Sequence, residues 1–364
     1  MSVAPGAELE LAIEALAAGG DGVARVDGLA VFVPLAAPGD RVRARVTQMS
    51  ARFARAELVE LLSPGPGRRS APCPYYGRCG GCTWLHLDEP AQLAARVAIA
   101  RAALVRIAHR AALPEIEVVP SPRALGYRAR ARIAFERGRI GFRARGSHEV
   151  VDVARCAVLD EPTQAELERL RRAPPAGAGE LEIRGVGPEV DLGERRLQVG
   201  KGAFFQANRS LWPSWVERVL GLCGTGATAV ELYCGIGFYT AGLCAQFARV
   251  VAIEHAPAGA ASARANSRAE VIAAAAEEWA PRELAKLRPE LVLLNPPRVG
   301  CHKTVSDALR DSGARRIVYV SCEPATLARD LARIGARFRV ARLVLLDALP
   351  QTHHVELVAE LESD

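Results

Sequence analysis

The stretch AVELYCGIGFYT, residues 229–240, decides the fold class of this chain. It reads as a buried strand that ends in an acid and continues into a glycine loop, after which a helix begins. Gly235 and Gly237 allow the main chain to approach a ligand closely. The loop lacks the G-x-G-x-x-G spacing of dinucleotide-binding enzymes, and a strand end before an ordinary helix cap would give a similar pattern.

The residues downstream extend this pattern. About twenty residues after the loop, the strand RVVAIE ends in Glu254, and an acid at such a position accepts hydrogen bonds from ribose hydroxyls. Both NAD and S-adenosylmethionine carry such a ribose. Apolar strands such as LVLL (291–294) then alternate with helical segments, which predicts a parallel, doubly wound sheet.

A cysteine follows another core strand of the same sheet. The strand RRIVYV (315–320) runs directly into SCEPATLARDL (321–331), so Cys322 is expected at the ligand-binding mouth, with Glu254 and Asn295. A lone cysteine is usually a small buried apolar residue. Directly after a core strand it is also a candidate nucleophile.

Composition sets the broad class. The chain has 364 residues, 47 Lys and Arg against 41 Asp and Glu, and a formal net charge of +6. This length predicts two or three domains, and the balance of apolar and charged residues excludes a mainly disordered chain. The N-terminus carries acids where a signal peptide carries basic residues, and the longest charge-free stretch, 232–248, is a poor membrane span. We therefore expect a cytoplasmic protein, with no membrane partner, that is a monomer.

Three of the nine cysteines cluster in CPYYGRCGGC, at Cys73, Cys79 and Cys82. In a cytosolic chain such a cluster indicates metal binding or catalysis more often than disulfides. The spacing is that of neither a ferredoxin nor a zinc ribbon. Spacing alone leaves zinc and iron–sulfur equally open.

The sequence divides into three predicted domains. Short strands separated by Gly, Asp and Pro predict a small β-barrel in residues 1–63. Residues 64–200 form a central region that begins with a linker and a helix over about 89–112, and continues as a β-rich part with one helix near 163–172. Residues 201–364 hold the alternating strands and helices.

Five separated motifs resemble those of the S-adenosylmethionine-dependent RNA uracil-5-methyltransferases, in the family's order. They are FFQANRSL (204–211), ELYCGIG (231–237), NPPR (295–298), SCEPATLARDL (321–331) and LPQTHHVELV (349–358). Upstream, residues 7–63 resemble a TRAM domain, an RNA-binding β-barrel of OB-like form. The resemblance implies a multidomain α/β protein with an N-terminal TRAM barrel, a central β-rich RNA-binding region with a cysteine cluster, and a C-terminal Rossmann-like methyltransferase domain.

The resemblance also implies roles for individual residues. Cys322 would add to carbon 6 of uracil, which makes carbon 5 nucleophilic toward the methyl group, and Glu356 would then remove the proton from carbon 5. Glu356 alternates with apolar residues, so it could instead be the polar side of a solvent-facing strand. The residues implied in binding S-adenosylmethionine are Gln206, Tyr233, Gly235, Gly237, Glu254 and Asn295.

The resemblance assigns a second cofactor and an RNA-binding segment. Cys73, Cys79 and Cys82, with the distant Cys156, match the four-cysteine site of a [4Fe–4S] cluster in that family. GYRARARIAF (126–135) resembles the family's central Tyr-Arg segment, which implies RNA contacts by Arg128, Arg130 and Arg132. Residues 121–145 contain eight Arg and one acid, a cluster expected to meet RNA phosphates.

The sequence departs from the family pattern at specific positions. Asn295 stands where the family usually has Asp, and Ala275 where an acid is expected near the adenine amino group. An NPP motif followed by an aromatic residue is associated with methylation of exocyclic nitrogens, but here Arg298 follows, and its role stays open. The adjacent His353 and His354 suggest a metal pair, yet neighbours on a strand point to opposite faces, so we interpret them as non-ligands.

The functional hypotheses are ordered as follows. We expect methylation of a uridine in RNA, with 23S ribosomal RNA favoured because bacterial tRNA-specific members usually lack the TRAM domain and the cluster cysteines. The alternatives are a tRNA uracil-5-methyltransferase and an RNA-binding protein with a degenerate catalytic domain. An NAD-dependent dehydrogenase is disfavoured by the missing G-x-G-x-x-G spacing and by SCEPAT.

Overall fold

The structure is a computed structural model that describes residues 3–110, 112–193 and 195–363. In these residues the strands are β1 (Glu8–Ala12), β2 (Ala15–Leu16), β3 (Gly22–Val26), β4 (Leu29–Val33), β5 (Arg41–Met49), β6 (Phe53–Ser63), β7 (Ile116–Val119), β8 (Arg130–Glu136), β9 (Arg139–Arg143), β10 (Val150–Asp152), β11 (Ala178–Arg184), β12 (Glu189–Asp191), β13 (Arg196–Gln198), β14 (Gly226–Leu232), β15 (Phe247–Glu254), β16 (Glu270–Ala273), β17 (Leu291–Leu294), β18 (Arg316–Ser321), β19 (Phe338–Leu346) and β20 (Glu356–Ser363). The α-helices are α1 (Glu89–Ile107), α2 (Glu161–Arg172), α3 (Trp212–Cys223), α4 (Thr240–Gln246), α5 (Pro257–Asn266), α6 (Ala276–Leu287), α7 (Lys303–Asp311) and α8 (Pro324–Ile334).

The chain divides into two compact units, each built from several segments. The first comprises Met1–Ile99, Ala124–Gly185 and Leu349–His354, and the second comprises Ala100–Arg123, Val186–Ala348 and Val355–Asp364. Segments far apart in the sequence thus share one unit, which local patterns do not reveal. The predicted division at residues 63 and 200 stays a prediction.

The first unit opens with a six-stranded sheet in the order β1-β5-β6-β4-β3-β2. Strict alternation in β1 and β5 places apolar side chains such as Leu9, Leu11 and Val42 in its core. The opposite faces of these strands carry exposed ion pairs, including Arg43 with Glu60. The residues predicted as a small β-barrel form a six-stranded sheet with one buried face, and closure of that sheet into a barrel stays a prediction.

A buried carboxylate attaches the segment that follows β6 to the six-stranded sheet. Asp40 is fully buried and accepts hydrogen bonds from the amides of Ala37 (2.6 Å) and Gly65 (2.8 Å). The guanidinium of Arg68 donates to it from Nε (3.0 Å) and Nη2 (2.8 Å). A Cβ at Gly65 would overlap the Pro38 carbonyl oxygen, so the linker lies directly on the sheet.

A second sheet of the first unit has the order β10-β9-β8-β11 and packs against α2. The side chain of Asp160 caps α2 by accepting from the Thr163 amide at 2.9 Å. Ile133, Ile183 and Leu167 fill the space between sheet and helix. The predicted β-rich character of this region and its helix near 163–172 are confirmed.

The second unit is built around an eight-stranded sheet in the order β16-β15-β14-β17-β18-β20-β19-β7. Strands β14 to β18 are parallel, and β20 lies antiparallel between β18 and β19. The central strand β17 is buried along its whole length, as a strand covered on both faces must be. The predicted parallel arrangement is confirmed for β14 to β18, whereas the whole sheet is mixed because β20 is antiparallel.

Two local expectations differ from the structure. The segment from Ile116 to Val119 was expected in the central region, but it pairs with β19 and extends the eight-stranded sheet, with Ile116 opposite Leu343. Helix α1 ends at Ile107 and not near 112, because His109 adopts a φ of 53° that ends the helix; residue 111 of the predicted span lies outside the described residues.

Within residues 3–110, 112–193 and 195–363, no helix has the length and apolar character that a membrane crossing requires.

We expect Asp40→Ala to lower the free energy of unfolding by about 3–5 kcal/mol, because it leaves the largely buried Arg68 without its counter-charge and two amides without an acceptor. Urea denaturation measures this change. Arg43→Gln is the matched control in the same sheet, since its exposed pair with Glu60 is worth less than about 1 kcal/mol. Equal losses for the two variants would contradict the assignment.

Candidate active site and cysteine pocket

Strand ends of the second unit bring together residues from distant motifs. The registers pair Leu232 with Ile253 and with Leu294, and Leu294 with Tyr319, so β14, β15, β17 and β18 end at one edge of the sheet. The antiparallel strand β20 begins at that edge, because Ser321 lies opposite Leu357. The side chains at this edge include Tyr233, Glu254, Asn295, Cys322 and Glu356.

The glycine loop is joined to the end of β15. Gly235 donates its amide to Glu254 Oε2 at 2.8 Å, and Ala256 donates to Oε1 at 2.7 Å. Gly235 and Gly237 have φ values of 57° and 83°, the left-handed region that favours glycine. A Cβ at Gly237 would approach Ala263 Cα to 3.3 Å, so α5 packs closely on the loop.

Tyr233 begins the same loop with a φ of 61°. A bulky residue in the left-handed region is uncommon, and such strained positions cluster at functional sites. The sequence identified Tyr233 only through the family resemblance, because side-chain spacing carries no sign of this backbone conformation.

Glu231 is a residue of this region to which the sequence assigned no role. It is 2% exposed and accepts a hydrogen bond from Thr240 Oγ1 at 2.6 Å. Its pKa is raised to about 8, mainly by burial; the hydrogen bond from Thr240 lowers the pKa and the charge of Glu254 raises it. The bond joins the end of β14 to the start of α4 across the glycine loop. The position of this acid at the end of a buried strand was the sequence feature that could have indicated such a role.

Cys322 and Glu356 share an electrostatic environment. The pKa of Cys322 is raised to about 11, mainly by burial and in smaller part by the charge of Glu356. Burial raises the pKa of Glu356 to about 8. The guanidinium of Arg298 opposes both shifts, so this arginine acts on the thiol and on the carboxyl together.

The burial of β20 decides between two interpretations of Glu356. Its residues are buried from Glu356 to Leu361, so the alternative of a solvent-facing strand is wrong.

Arg298 is the residue of this group whose role the sequence left open. Its place directly after Asn295 and two prolines was the signal that could have identified it.

Gln206 lies on the loop that precedes α3, in the second unit. Its main-chain carbonyl accepts a hydrogen bond from Trp212 Nε1 at 3.0 Å, and the ring of Phe205 packs edge-on against Trp212. These contacts fix the loop. They do not involve the five side chains at the sheet edge.

The four predicted cluster cysteines meet in the first unit. They line one pocket, whose empty space, including the part open to solvent, is about 490 Å³. All four are free thiols. Among the described residues, no group of three or more His, Cys, Asp or Glu is arranged to hold a metal ion. The pocket residues that bear on its chemistry are Cys73, Cys79, Cys82, Cys156 and Arg128.

The pocket thiols disfavour each other's ionisation. The pKa of Cys79 is raised to about 11, mainly by burial and in smaller part by the neighbouring Cys156 and Cys73. Burial likewise raises the pKa values of Cys82 and Cys156. The charge of Arg128 lowers all three values. The pocket therefore favours a positively charged occupant once its thiols ionise.

The three arginines implied in RNA binding have different surroundings. Arg128 lines the cysteine pocket. Arg130 pairs with Glu182 at 2.8 Å, whereas Arg132 is 77% exposed in its side chain and lies 3.7 Å from Glu180. Both acids lie on β11, outside the stretch over which the sequence charge was counted. The positive charge of this segment is thus partly neutralised by the neighbouring strand.

The histidine pair corrects one expectation. His353 and His354 were predicted to point to opposite faces of a strand, but their ring centroids are 4.3 Å apart. They lie in the loop before β20, where the alternation of a strand does not apply.

Comparison with known proteins identifies the domains. The profile of the tRNA (uracil-5-)-methyltransferase family matches residues 189–363, and that of the TRAM domain matches residues 3–59. The predicted TRAM domain is confirmed.

Two relatives align over nearly the whole chain. An uncharacterized RNA methyltransferase of Bdellovibrio bacteriovorus is 32% identical, over 99% of this chain and 96% of the relative. The 23S rRNA (uracil(1939)-C(5))-methyltransferase RlmD of Pseudomonas putida is 33% identical, over 98% of this chain and 94% of the relative.

The fold matches a solved structure along its length. The tRNA (uracil-54, C5)-methyltransferase of Pyrococcus abyssi, crystallised with S-adenosyl-L-homocysteine, superposes with a TM-score of 0.75. Its sequence is 24% identical, over 97% of this chain and 100% of that chain.

The buried carboxyl of Glu356 makes stability depend on pH. Its pKa rises from an ordinary value of 4.5 to about 8 in the folded protein, so folding takes up a proton between these values. This contribution to stability is complete below the lower value and is lost as the pH rises through the upper one. We expect Glu356→Gln to remove that loss, which is on the order of a few kcal/mol.

Urea unfolding followed by circular dichroism, at about pH 5 and about pH 9, measures the effect. The matched control is Glu217→Gln, an exposed position on α3. Parallel pH dependences for wild type and Glu356→Gln would show that this carboxyl does not titrate as expected.

Proposed function

Because this chain belongs to the S-adenosylmethionine-dependent RNA uracil-5-methyltransferase family, we propose that it methylates a specific uridine of 23S ribosomal RNA. The observation that carries the target is the alignment of RlmD, named for a 23S rRNA uridine, with nearly the whole chain, TRAM domain included. The observation that carries the mechanism is the buried Glu356, which lies at the same strand edge as Cys322.

A tRNA target is the second candidate. The matching family profile is named for tRNA, and the Pyrococcus abyssi enzyme, also named for tRNA, has the same fold along the whole chain. Domain organisation alone therefore does not discriminate between the two RNA classes, and the substrate assay below compares them.

The reaction needs a nucleophile because carbon 5 of uracil is weakly nucleophilic. The Cys322 thiolate forms a bond to carbon 6, and the displaced electron pair makes carbon 5 reactive. Carbon 5 then bonds the methyl group, whose bond to the sulfonium sulfur of S-adenosylmethionine breaks with its electrons remaining on sulfur. Glu356 takes the proton from carbon 5, and the returning electron pair expels Cys322 as a thiolate.

The glycine loop suits a nucleotide-like methyl donor. A Cβ placed on Gly235 would meet no atom within 4 Å, so a ligand can approach the main chain there. Glu254 is held by two amides and retains lone pairs for ribose hydroxyls. The remaining residues proposed to bind the donor are Gln206, Tyr233, Gly237 and Asn295.

We propose that the cysteine pocket holds a [4Fe–4S] cluster. The four thiols, all on described residues, are not arranged as a metal-ligand set in this structure. They nevertheless line one pocket and come from two remote segments, and thiolate sulfurs are the ligands of such clusters. The cluster would join the loop of Cys73, Cys79 and Cys82 to the turn at Cys156 inside the first unit. Methyl transfer by the route above needs no electrons, so we assign the cluster a structural or RNA-positioning role.

We expect Cys322→Ala to lower methyl transfer at least about 10³-fold, because the thiolate that activates the base is missing. Tritiated S-adenosylmethionine is incubated with unmodified ribosomal RNA and, separately, with tRNA, and we expect label in ribosomal RNA. Cys244→Ala, on α4, is the matched control. Undiminished transfer by Cys322→Ala would refute the thiolate route, and label in tRNA alone would refute the ribosomal target.

We expect RNA that contains 5-fluorouridine to form a covalent adduct, because fluorine at carbon 5 leaves no proton to remove. With ordinary RNA, Glu356→Gln should form the same adduct and resolve it slowly. Denaturing gel electrophoresis measures both adducts. If Glu356→Gln turns over at the wild-type rate, the carboxyl is not the base.

We expect anaerobically purified protein to contain about four irons and four sulfides per chain. Cys156→Ser should lower the iron content, whereas Cys223→Ser, at a buried position outside the pocket, should preserve it. Metal and sulfide analysis tests this. A colourless, zinc-containing protein would refute the cluster.

A further inference from the structure

Helix α8 is attached to the loop that carries Arg298. The helix begins two residues after Cys322, and one of its faces presents Thr326, Arg329 and Asp330, at the i, i+3 and i+4 spacing of neighbours on a helix surface. We call these three side chains the α8 clamp. Each contacts the main chain of residues 298–301.

The first contact of the clamp reaches Arg298 itself. Thr326 Oγ1 lies 3.1 Å from the main-chain oxygen of Arg298 and 3.0 Å from that of Glu323, and its single hydrogen is shared between these two acceptors. The Thr326 side chain therefore connects the first turn of α8 to the arginine.

The other two contacts hold the rest of the loop. Arg329 Nη2 donates to the main-chain oxygen of Val299 at 2.8 Å. Asp330, which is fully buried, accepts from the Cys301 amide at 2.9 Å and from Tyr319 Oη at 2.8 Å. The loop is thus fixed on both sides of Gly300.

Gly300 shows how closely loop and helix approach. Its φ is 75°, and a Cβ there would overlap Arg329 Nη2 and Asp330 Oδ2, and would lie 3.1 Å from Thr326 Cβ. A glycine is required here for both reasons. The position of the Arg298 main chain is therefore determined by α8.

The side chain that extends from this fixed point acts on the reacting groups. The Arg298 guanidinium lowers the pKa of Cys322 and that of Glu356, while Glu356 and Glu323 raise the pKa of Cys322. Because Arg298 is exposed, water screens its charge, and its effect depends on how near its main chain holds it.

We propose that Thr326 is a positioning residue for methyl transfer: by holding the Arg298 carbonyl against α8, it keeps the guanidinium close to Cys322 and Glu356. The inference rests on the proposed function, in which Cys322 attacks as a thiolate. Thr326 is a better test position than Asp330, because the buried Asp330 bonds the loop amide, Tyr319 and arginines, and its loss would disturb the fold.

The experiment measures how readily Cys322 ionises, without RNA or S-adenosylmethionine. The full chain is treated with iodoacetamide across a range of pH, and the alkylation of Cys322 is quantified by peptide mass spectrometry. We expect Thr326→Val to alkylate about threefold more slowly at a given pH, the size of a shift of half a pKa unit. Thr326→Ser, which keeps the hydroxyl, should restore the wild-type rate.

A double-mutant cycle tests whether Thr326 acts through Arg298. Arg298→Gln should slow alkylation at least as much as Thr326→Val, and the double variant should alkylate no more slowly than Arg298→Gln alone. If the Thr326→Val factor persists in the Arg298→Gln background, or if Thr326→Val alkylates at the wild-type rate, the proposal is overturned. A lowered melting temperature with an unchanged alkylation profile would identify a purely structural role and overturns it as well.

The result of the alkylation experiment can be distinguished from the result of the methylation assay. Alkylation requires only the thiol and its surroundings. A cycle that succeeds while Cys322→Ala still methylates RNA would establish that the clamp acts on the thiol, but would refute the catalytic cysteine and, with it, the role of Thr326 in methyl transfer. If methylation depends on Cys322 but the cycle fails, the clamp alone is refuted.

Discussion

The pairing of β18 with β20 is the constraint on which the proposed chemistry depends. Cys322 follows β18, and Ser321 lies opposite Leu357, so the antiparallel strand delivers Glu356 to the edge where the parallel strands end. A parallel strand in that place would begin at the opposite edge and carry its first residue away from the thiol. The antiparallel strand β20 therefore places the carboxyl of Glu356 at the edge of the sheet where the parallel strands end.

The shared electrostatics of Cys322 and Glu356 suit a reaction in which they ionise in turn. The negative charge of Glu356 disfavours ionisation of Cys322 and raises the pKa of the thiol. In the proposed route the negative charge moves from sulfur to the uracil enolate when the thiolate bonds carbon 6. It is neutralised when carbon 5 takes the methyl group, before the carboxylate must accept a proton. Arg298 favours ionisation of both groups, which suits a residue that must assist both steps.

Local sequence patterns predicted the individual strands, loops and helices of the second unit. They did not predict contacts between segments that lie far apart in the sequence. The strand, loop and helix of residues 229–240 and the position of Cys322 after β18 followed from apolar periodicity and strand ends. The place of β7 did not, because its partner β19 lies more than two hundred residues further on. The ion pair of Arg130 with Glu182 was not predicted, because the two residues lie on different strands. For Glu231 the sequence showed an acid at a strand end, but not its hydrogen bond with Thr240.

The charge of the four cysteines in the pocket limits which ligand the pocket can bind. As neutral thiols its cysteines can lie together without repulsion, and burial favours that form. Ionising all four would place four negative charges in a partly enclosed space that Arg128 offsets with one positive charge. The deficit is removed only by a cation that arrives as the protons leave, because each further thiolate raises the pKa of its neighbours. For the cluster proposed above, binding and proton release would therefore be one coupled event, and the affinity of the pocket for it would rise with pH.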